Sequence, residues 1–262
     1  MSTRGAVAAA IAAVSVVALA TGCAGSAGAG EPQRSGSAGG QLTVFAASSL
    51  TRTFTELSRQ FEAAHPGTVV RVNFGGSADL VAQLQQGAPA DVFAAADAAT
   101  MAKAVDDRLI AGQPKDFASN SMAIAVPPGN PAGVRSFAAL ADPGVTVVVC
   151  AVQVPCGAAT AAIERRTGVT LTPASEENAV ADVLGKVTSG QADAGVVYTT
   201  DVRGAGEAVE GIDIPGQDNT RTTYPIALLS GAANPSLAGQ FEQFVLSPTG
   251  QQVLADAGFG AP

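Results

Sequence analysis

The sequence predicts an α/β fold, with mainly parallel strands flanked by helices, from three observations. Short apolar segments alternate with segments that are apolar every three or four residues, which is the pattern of strands followed by helices. Hydrophobic residues make up 47% and charged residues 14% of the 262 residues, so the chain can build a large core. Gly, Ser and Pro mark the junctions where the strands are expected to turn into helices.

The predicted elements run from about residue 41 to the C-terminus. The strands are short apolar or alternating segments, and they are expected at residues 42–46, 68–74, 91–95, 121–126, 145–150, 194–198 and 224–229. The helices carry apolar residues on one face, and they are expected at residues 49–65, 77–84, 101–105, 156–163, 178–187 and 237–245. A last helix is expected to begin at Ser247, because Ser followed by Pro is common at a helix start.

The first 40 residues predict an export signal and a tether. Arg4 precedes an apolar run at residues 6–20, which suits a signal peptide and is too short to span a membrane well, although an uncleaved anchor is the alternative. The residues before Cys23 resemble a bacterial lipoprotein cleavage site, so residues 1–22 are expected to be removed and Cys23 to carry a lipid. Residues 23–40 are rich in Gly, Ala and Ser and are expected to form a flexible tether. These features predict a protein exported and held by lipid at the outer face of the cell membrane.

Composition excludes several classes of function. A net charge of −8 argues against a nucleic-acid partner, because phosphate binding needs a positive surface. The single histidine, His65, excludes a His-rich metal site, and three cysteines are too few for a disulfide scaffold. Neither a cofactor nor a direct metal ligand is therefore expected.

A hydrolase is only a distant alternative. A Ser-His-acid triad would have to use His65, which lies in a predicted Pro-Gly turn, and no Gly-x-Ser-x-Gly sequence precedes a predicted helix. We expect a binding protein and not an enzyme.

Four predicted helices begin in a similar way. Each follows a strand closely, and the turn between strand and helix contains Gly, Ser, Pro or Asn. These turns contain Ser49, Ser77, Cys156 and Val180. Helix N-termini present unpaired backbone N–H groups and a partial positive charge, so several of them facing one crevice can bind an anion without Lys or Arg. Ser at such a turn is also a common helix cap, so both interpretations stay open at this point.

Five segments, in order and well spaced, resemble the periplasmic molybdate-binding proteins of bacterial ABC importers. They are Phe45–Leu50, Phe74–Ser77, Gly87–Phe93, Val154–Gly157 and Gly195–Tyr198. The resemblance extends from about residue 41 to the end of the chain. It implies the two-lobed type II periplasmic-binding-protein fold with two hinge crossovers. Residues 41–122 and 224–262 would form lobe 1, and residues 123–223 would form lobe 2.

The resemblance also implies a ligand and a set of binding residues. Molybdate, and tungstate as well, would bind between the lobes through Ser49, Ser77, Cys156, Val180 and Tyr198. The loaded protein, a monomer, would deliver the small oxyanion to an ABC transporter permease in the membrane. A carrier of sulfate or another oxyanion with the same fold is the alternative.

Two positions, Cys156 and Asp79, need separate comment in the comparison with the molybdate-binding family. Cys156 stands where the family commonly has Ala, and in an oxidising exterior Cys150 and Cys156 would either form a disulfide or remain two reduced thiols. Asp79 is expected to complement the dipole of its helix, because a carboxylate facing the cleft would repel a dianion.

Overall fold

The structure is a computed structural model that describes residues 39–262. The predicted signal peptide, Cys23 with its predicted lipid and residues 23–38 of the predicted tether lie outside the described residues. None of the helices in the described range is long and apolar enough to cross a membrane.

Strands and helices alternate along most of the described chain. The strands are β1 (Gln41–Ala47), β2 (Val69–Gly75), β3 (Val92–Ala94), β4 (Ile110–Val126), β5 (Val147–Cys150), β6 (Ser175–Glu177), β7 (Ala194–Tyr198), β8 (Glu210–Asp213) and β9 (Arg221–Leu229). The α-helices are α1 (Thr51–Ala64), α2 (Ser77–Gln85), α3 (Ala98–Asp106), α4 (Pro155–Thr167), α5 (Val180–Thr188), α6 (Thr199–Ala205), α7 (Pro235–Leu246) and α8 (Pro248–Asp256). A 3₁₀ turn at Ser48–Leu50 leads from β1 into α1.

The strands form one continuous sheet with the order β2-β1-β3-β9-β4-β7-β5-β6, and β8 pairs with β4 beside this path. Strands β1, β2 and β3 pair in parallel, as do β5, β6 and β7. The antiparallel pairs all involve β4 or β9. The sheet is therefore mixed, with two parallel groups joined through the long strands β4 and β9.

Strand β4 divides the sheet into two halves. Residues Ile110 to Ser121 of β4 pair with β9, whereas Met122 to Ala125 pair with β7. The first sheet half is thus β2, β1, β3, β9 and β4 up to Ser121, and the second sheet half is β4 from Met122 with β7, β5, β6 and β8. Strand β4 thus changes its partner between Ser121 and Met122.

Apolar packing holds helices against the first sheet half. The apolar face of α1 buries Phe54 and Phe61, and both rings make edge-to-face contacts with Phe241 of α7. Phe54 also meets Phe117 of β4, whose ring in turn meets Tyr224 of β9. Buried aromatic rings supply much of the apolar area that stabilises a core, so these contacts hold α1 and α7 firmly against the first sheet half.

The structure has three elements that the sequence did not predict, and it extends a fourth. Strands β6 and β8 and helix α6 are short and lack a clear apolar period. Strand β4 begins at Ile110, although its predicted strand began at 121, because its first part is mostly exposed and its register shifts between Ala111 and Lys115 and again before Ala118. The other predicted elements are confirmed within a few residues at their ends.

Candidate functional site

A small cavity lies where the parallel strands of the two sheet halves end. Open α/β sheets bind ligands beyond the carboxyl ends of their strands, and this cavity has that position. All five binding residues suggested by the sequence line it. The lining consists of Ala47, Ser48, Ser49, Gly75, Gly76, Ser77, Ala96, Pro155, Cys156, Asn178, Ala179, Val180 and Tyr198.

The first sheet half supplies two serines. Strand β1 ends at Ala47, and Ser49 lies in the 3₁₀ turn that follows. Strand β2 ends at Gly75, and Ser77 is the first residue of α2. Because β1 and β2 pair in parallel, the chain brings both serines to the same edge of the sheet.

The second sheet half supplies the other three predicted residues. Cys156 lies in the first turn of α4, shortly after β5, and Val180 is the first residue of α5, shortly after β6. Tyr198 is the last residue of β7. The side chains of these residues are 1–3% exposed, so the second sheet half contributes a buried wall.

The four helix starts at the cavity have no side-chain cap, whereas other helices in the described chain do. Asp97, Asn234 and Ser247 each accept a hydrogen bond from a backbone N–H in the first turn of α3, α7 and α8. No side chain does so at the starts of the 3₁₀ turn, α2, α4 or α5. The interpretation of these turns as ordinary side-chain caps is therefore wrong.

Four of the uncapped backbone N–H groups belong to predicted binding residues. Within residues 39–262, the N–H groups of Ser49, Ser77, Cys156 and Val180 donate no hydrogen bond. Buried N–H groups are nearly always paired in native proteins. Four unpaired N–H groups around one cavity therefore indicate a ligand that accepts hydrogen bonds.

The phenol of Tyr198 gives independent evidence for such a ligand. Its side chain is 1% exposed, and its Oη has no hydrogen-bond partner among the described residues. Burial raises the pKa of the Tyr198 phenol well above its usual range, so the phenol keeps its proton and can donate it. A buried hydroxyl without a partner costs about 1–3 kcal/mol, which a ligand oxygen would recover.

The hydroxyls of the two serines already hold one partner each. The backbone N–H of Ala96 donates to Ser77 Oγ over 3.1 Å, which leaves the hydrogen of the Ser77 hydroxyl free. Ser49 Oγ is 3.1 Å from Tyr224 Oη. Each serine oxygen is therefore held in place by one hydrogen-bond partner within the protein.

The cavity is small, and no charged residue lines it. A side chain at Gly76 would collide with the carbonyl oxygen of Asn178, so glycine is needed there for the two sheet halves to approach. Only about 10 Å³ is open to the centre of a water molecule, which excludes a large organic ligand. No lining residue is charged; Asp79 is exposed and does not line the cavity, as the sequence predicted.

A disulfide supports the wall at Cys156. Cys150, the last residue of β5, is bonded to Cys156, and their Cα atoms are 5.6 Å apart. A side chain at Gly157 would collide with the carbonyl oxygen of Ala151, so the loop folds closely against the first turn of α4. The cross-link and the close packing together fix the direction of the Cys156 N–H.

The described residues offer little for the alternative chemistries. They contain no group of three or more His, Cys, Asp or Glu side chains that could hold a metal ion. His65 follows the last residue of α1, so about 20 Å of helix separates it from Ser49. It stacks on Phe61, and its Nδ1 is 2.9 Å from the Phe61 carbonyl oxygen. This distance leaves Ser49 without a histidine base.

Sequence reasoning missed three features of the site. Tyr224 and Asn120 lie behind Ser49 and do not line the cavity, so no motif pointed to them. The close approach at Gly76 was also missed, although the Gly75-Gly76 pair was a usable signal because paired glycines often allow backbone contact.

Comparisons with known proteins show the family to which the chain belongs. The family model for bacterial extracellular solute-binding proteins matches residues 42–260. The molybdate-binding protein ModA of Mycobacterium tuberculosis is 46% identical over 221 residues, which cover 84% of this chain and 85% of that protein. These findings confirm the resemblance identified in the sequence.

Two solved structures show the fold. The periplasmic molybdate-binding protein of Azotobacter vinelandii has a TM-score of 0.75 at 22% identity, covering 84% of this chain and 99% of that one. The sulfate-binding protein SubI of M. tuberculosis has a TM-score of 0.72 at 18% identity, covering 84% and 86%. The expected two-lobed periplasmic-binding-protein fold is thereby confirmed. This chain belongs to the family of bacterial extracellular solute-binding proteins.

Proposed function

We propose that this protein captures molybdate, and tungstate as well, and delivers it to an ABC importer. The observation that carries the proposal is a small, uncharged cavity lined by hydrogen-bond donors that have no protein partner. The 46% identity to a protein named for molybdate binding supports this choice of oxyanion. The protein acts by binding and release, without catalysis.

The donor set suits a fully deprotonated tetrahedral dianion. Its four oxygens only accept hydrogen bonds, and four backbone N–H groups with the hydroxyls of Ser49, Ser77 and Tyr198 can supply them. Preorganised dipoles of this kind stabilise charge at little reorganisation cost, so no Lys or Arg is required.

The same donor set disfavours phosphate. At neutral pH phosphate carries at least one proton, which needs an acceptor in the site. None of the lining residues is a carboxylate, so the phosphate O–H would remain unpaired or leave a protein donor unpaired. One buried mismatch of this kind costs about 1–3 kcal/mol, or about five- to a hundredfold in affinity.

We also propose that the lobes are residues 41–122 with 224–262, and residues 123–223. The change of strand partner in β4 between Ser121 and Met122 supports the first boundary. Hinge motion near Ser121–Ala123 and Thr223–Pro225 would open the cavity, and closure would bring Gly76 against Asn178.

Export and anchoring complete the proposal. Membership in the extracellular solute-binding family agrees with a location outside the cytoplasm. We also propose that Cys23 carries a lipid, which would keep the monomeric protein at the membrane surface near its permease partner.

Calorimetric titration of the purified protein tests the ligand. We expect one-to-one binding of molybdate and tungstate, with sulfate weaker and phosphate weaker still. Tight binding of sulfate without molybdate would keep the site and overturn the proposed ligand. No heat with any oxyanion would refute the proposal as a whole.

A further inference from the structure

The proton on the Ser49 hydroxyl has a direction that the surrounding hydrogen bonds determine. Ser49 Oγ contacts Tyr224 Oη at 3.1 Å, and Tyr224 Oη lies 3.5 Å from Asn120 Nδ2. Tyr224 is fully buried and Asn120 is 5% exposed, so neither group exchanges its partner for water. The three side chains form a chain that leads from β4 through β9 to the cavity.

One backbone group fixes the orientation of the Asn120 amide. The N–H of Ser121 can only donate, and it lies 3.0 Å from Asn120 Oδ1. Thr199 Oγ1 also donates to this oxygen, over 2.9 Å. The Nδ2 group therefore faces Thr200 Oγ1, at 2.8 Å, and Tyr224.

The direction of the remaining hydrogen bonds follows from that orientation. An amide NH₂ group only donates, so Asn120 cannot accept the hydrogen of Tyr224 Oη. Ser49 Oγ is the acceptor that remains among the hydrogen bonds of Tyr224 Oη, and a buried hydroxyl hydrogen without an acceptor would be costly. Burial raises the pKa of the Tyr224 phenol, so this hydrogen stays in place. Ser49 Oγ accepts it, and the hydrogen of Ser49 is left to point into the cavity.

The Ser77 hydroxyl is oriented by a different hydrogen bond. The Ala96 N–H donates to Ser77 Oγ, so the hydrogen of the Ser77 hydroxyl is also free to point into the cavity. The two serines are thus both donors, but only Ser49 depends on the side chains of Tyr224 and Asn120.

From this we infer that Tyr224 and Asn120 are positioning residues that turn the hydrogen of the Ser49 hydroxyl into the cavity and so favour anions without protons. The inference rests on the proposed function. Without the Tyr224 hydroxyl, the Ser49 hydroxyl can rotate and accept a hydrogen bond from a protonated oxyanion. With it, a phosphate O–H that faces Ser49 meets another donor.

A double-mutant cycle tests the inference, with affinities for molybdate and inorganic phosphate measured by calorimetry. Tyr224→Phe keeps the ring and should weaken molybdate binding about two- to tenfold, the effect of one hydrogen bond. In the Ser49→Ala background it should have almost no further effect, because no hydroxyl remains to be oriented. In the Ser77→Ala background its effect should remain complete. The ratio of molybdate to phosphate affinity should fall in Tyr224→Phe.

The outcomes distinguish a failure of this inference from a failure of the proposed function. If Tyr224→Phe weakens molybdate binding equally in the wild-type and Ser49→Ala backgrounds, Tyr224 acts through general packing and the inference is overturned. An unchanged ratio of molybdate to phosphate affinity would overturn it as well. If the wild-type protein binds no molybdate at all, the proposed function falls first and the inference with it. Thermal unfolding of each variant shows whether the fold is retained.

Discussion

Replacement of Tyr198 by Phe should change ligand affinity and protein stability in opposite directions. The Tyr198 phenol is 1% exposed and has no partner among the described residues, so its removal costs the ligand-free protein no internal hydrogen bond. Its removal should leave the free energy of unfolding unchanged or raise it, by up to about 1–3 kcal/mol. Molybdate would lose one hydrogen bond to a charged oxygen, which weakens binding by about 1.5–3 kcal/mol, or about ten- to a hundredfold.

Tyr224 provides the matched control, because the chain has only two tyrosines and their rings are in contact, with centroids 5.8 Å apart. The Tyr224 hydroxyl is hydrogen-bonded, so Tyr224→Phe should lower the free energy of unfolding by about 0.5–1.5 kcal/mol. Urea unfolding without ligand and calorimetry with molybdate measure the two effects. A clear loss of stability in Tyr198→Phe, or unchanged molybdate affinity, would refute the assignment of Tyr198 as a ligand donor.

Three further predictions concern Gly76, Asp201 and the Cys150–Cys156 disulfide. Gly76→Ala should weaken molybdate binding about five- to a hundredfold in calorimetry, because the added methyl group collides with the opposite sheet half. As a control, Gly185→Ala should leave molybdate affinity unchanged, because Gly185 of α5 faces open space. Burial raises the pKa of Asp201 to about 7, so between about pH 4 and 7 the folded state holds a proton that the unfolded state has lost. The free energy of unfolding, measured with urea, should therefore fall by up to about 4 kcal/mol as the pH rises through this range. Asp201→Asn should remove this pH dependence. Reduction of the Cys150–Cys156 disulfide should lower the free energy of unfolding by about 2 kcal/mol, and equal urea midpoints with and without dithiothreitol would contradict this.

The sequence contained enough information to predict most of the fold, because strands and helices here have strong apolar patterns. The first part of β4 was not predictable, since Gly112 has a positive φ and Pro114 and Asp116 interrupt the pattern within an irregular register. Helix α6 was missed because it has only seven residues and begins with two threonines, which have low helix propensity.

The site was predictable only as far as local turns describe it. The sequence placed Ser49, Ser77, Cys156 and Val180 at helix starts, and these do meet at one cavity. It could not show that these helices lack side-chain caps, because a cap depends on geometry within the turn. Nor could it point to Tyr224, whose contact with Ser49 joins residues 175 positions apart.

Because the proposed site binds its ligand partly through backbone N–H groups, the side chains at these positions can differ between related proteins. A backbone N–H is present in every amino acid except proline, so positions such as 156 and 180 are chemically free in their side chains. At 156 this freedom is used for a covalent bond to Cys150, and at 180 for a buried aliphatic group. One residue can thus serve the ligand with its main chain and the scaffold with its side chain. Homologous sites could therefore keep their affinity while their residues change, and a search for conserved charged side chains would overlook them.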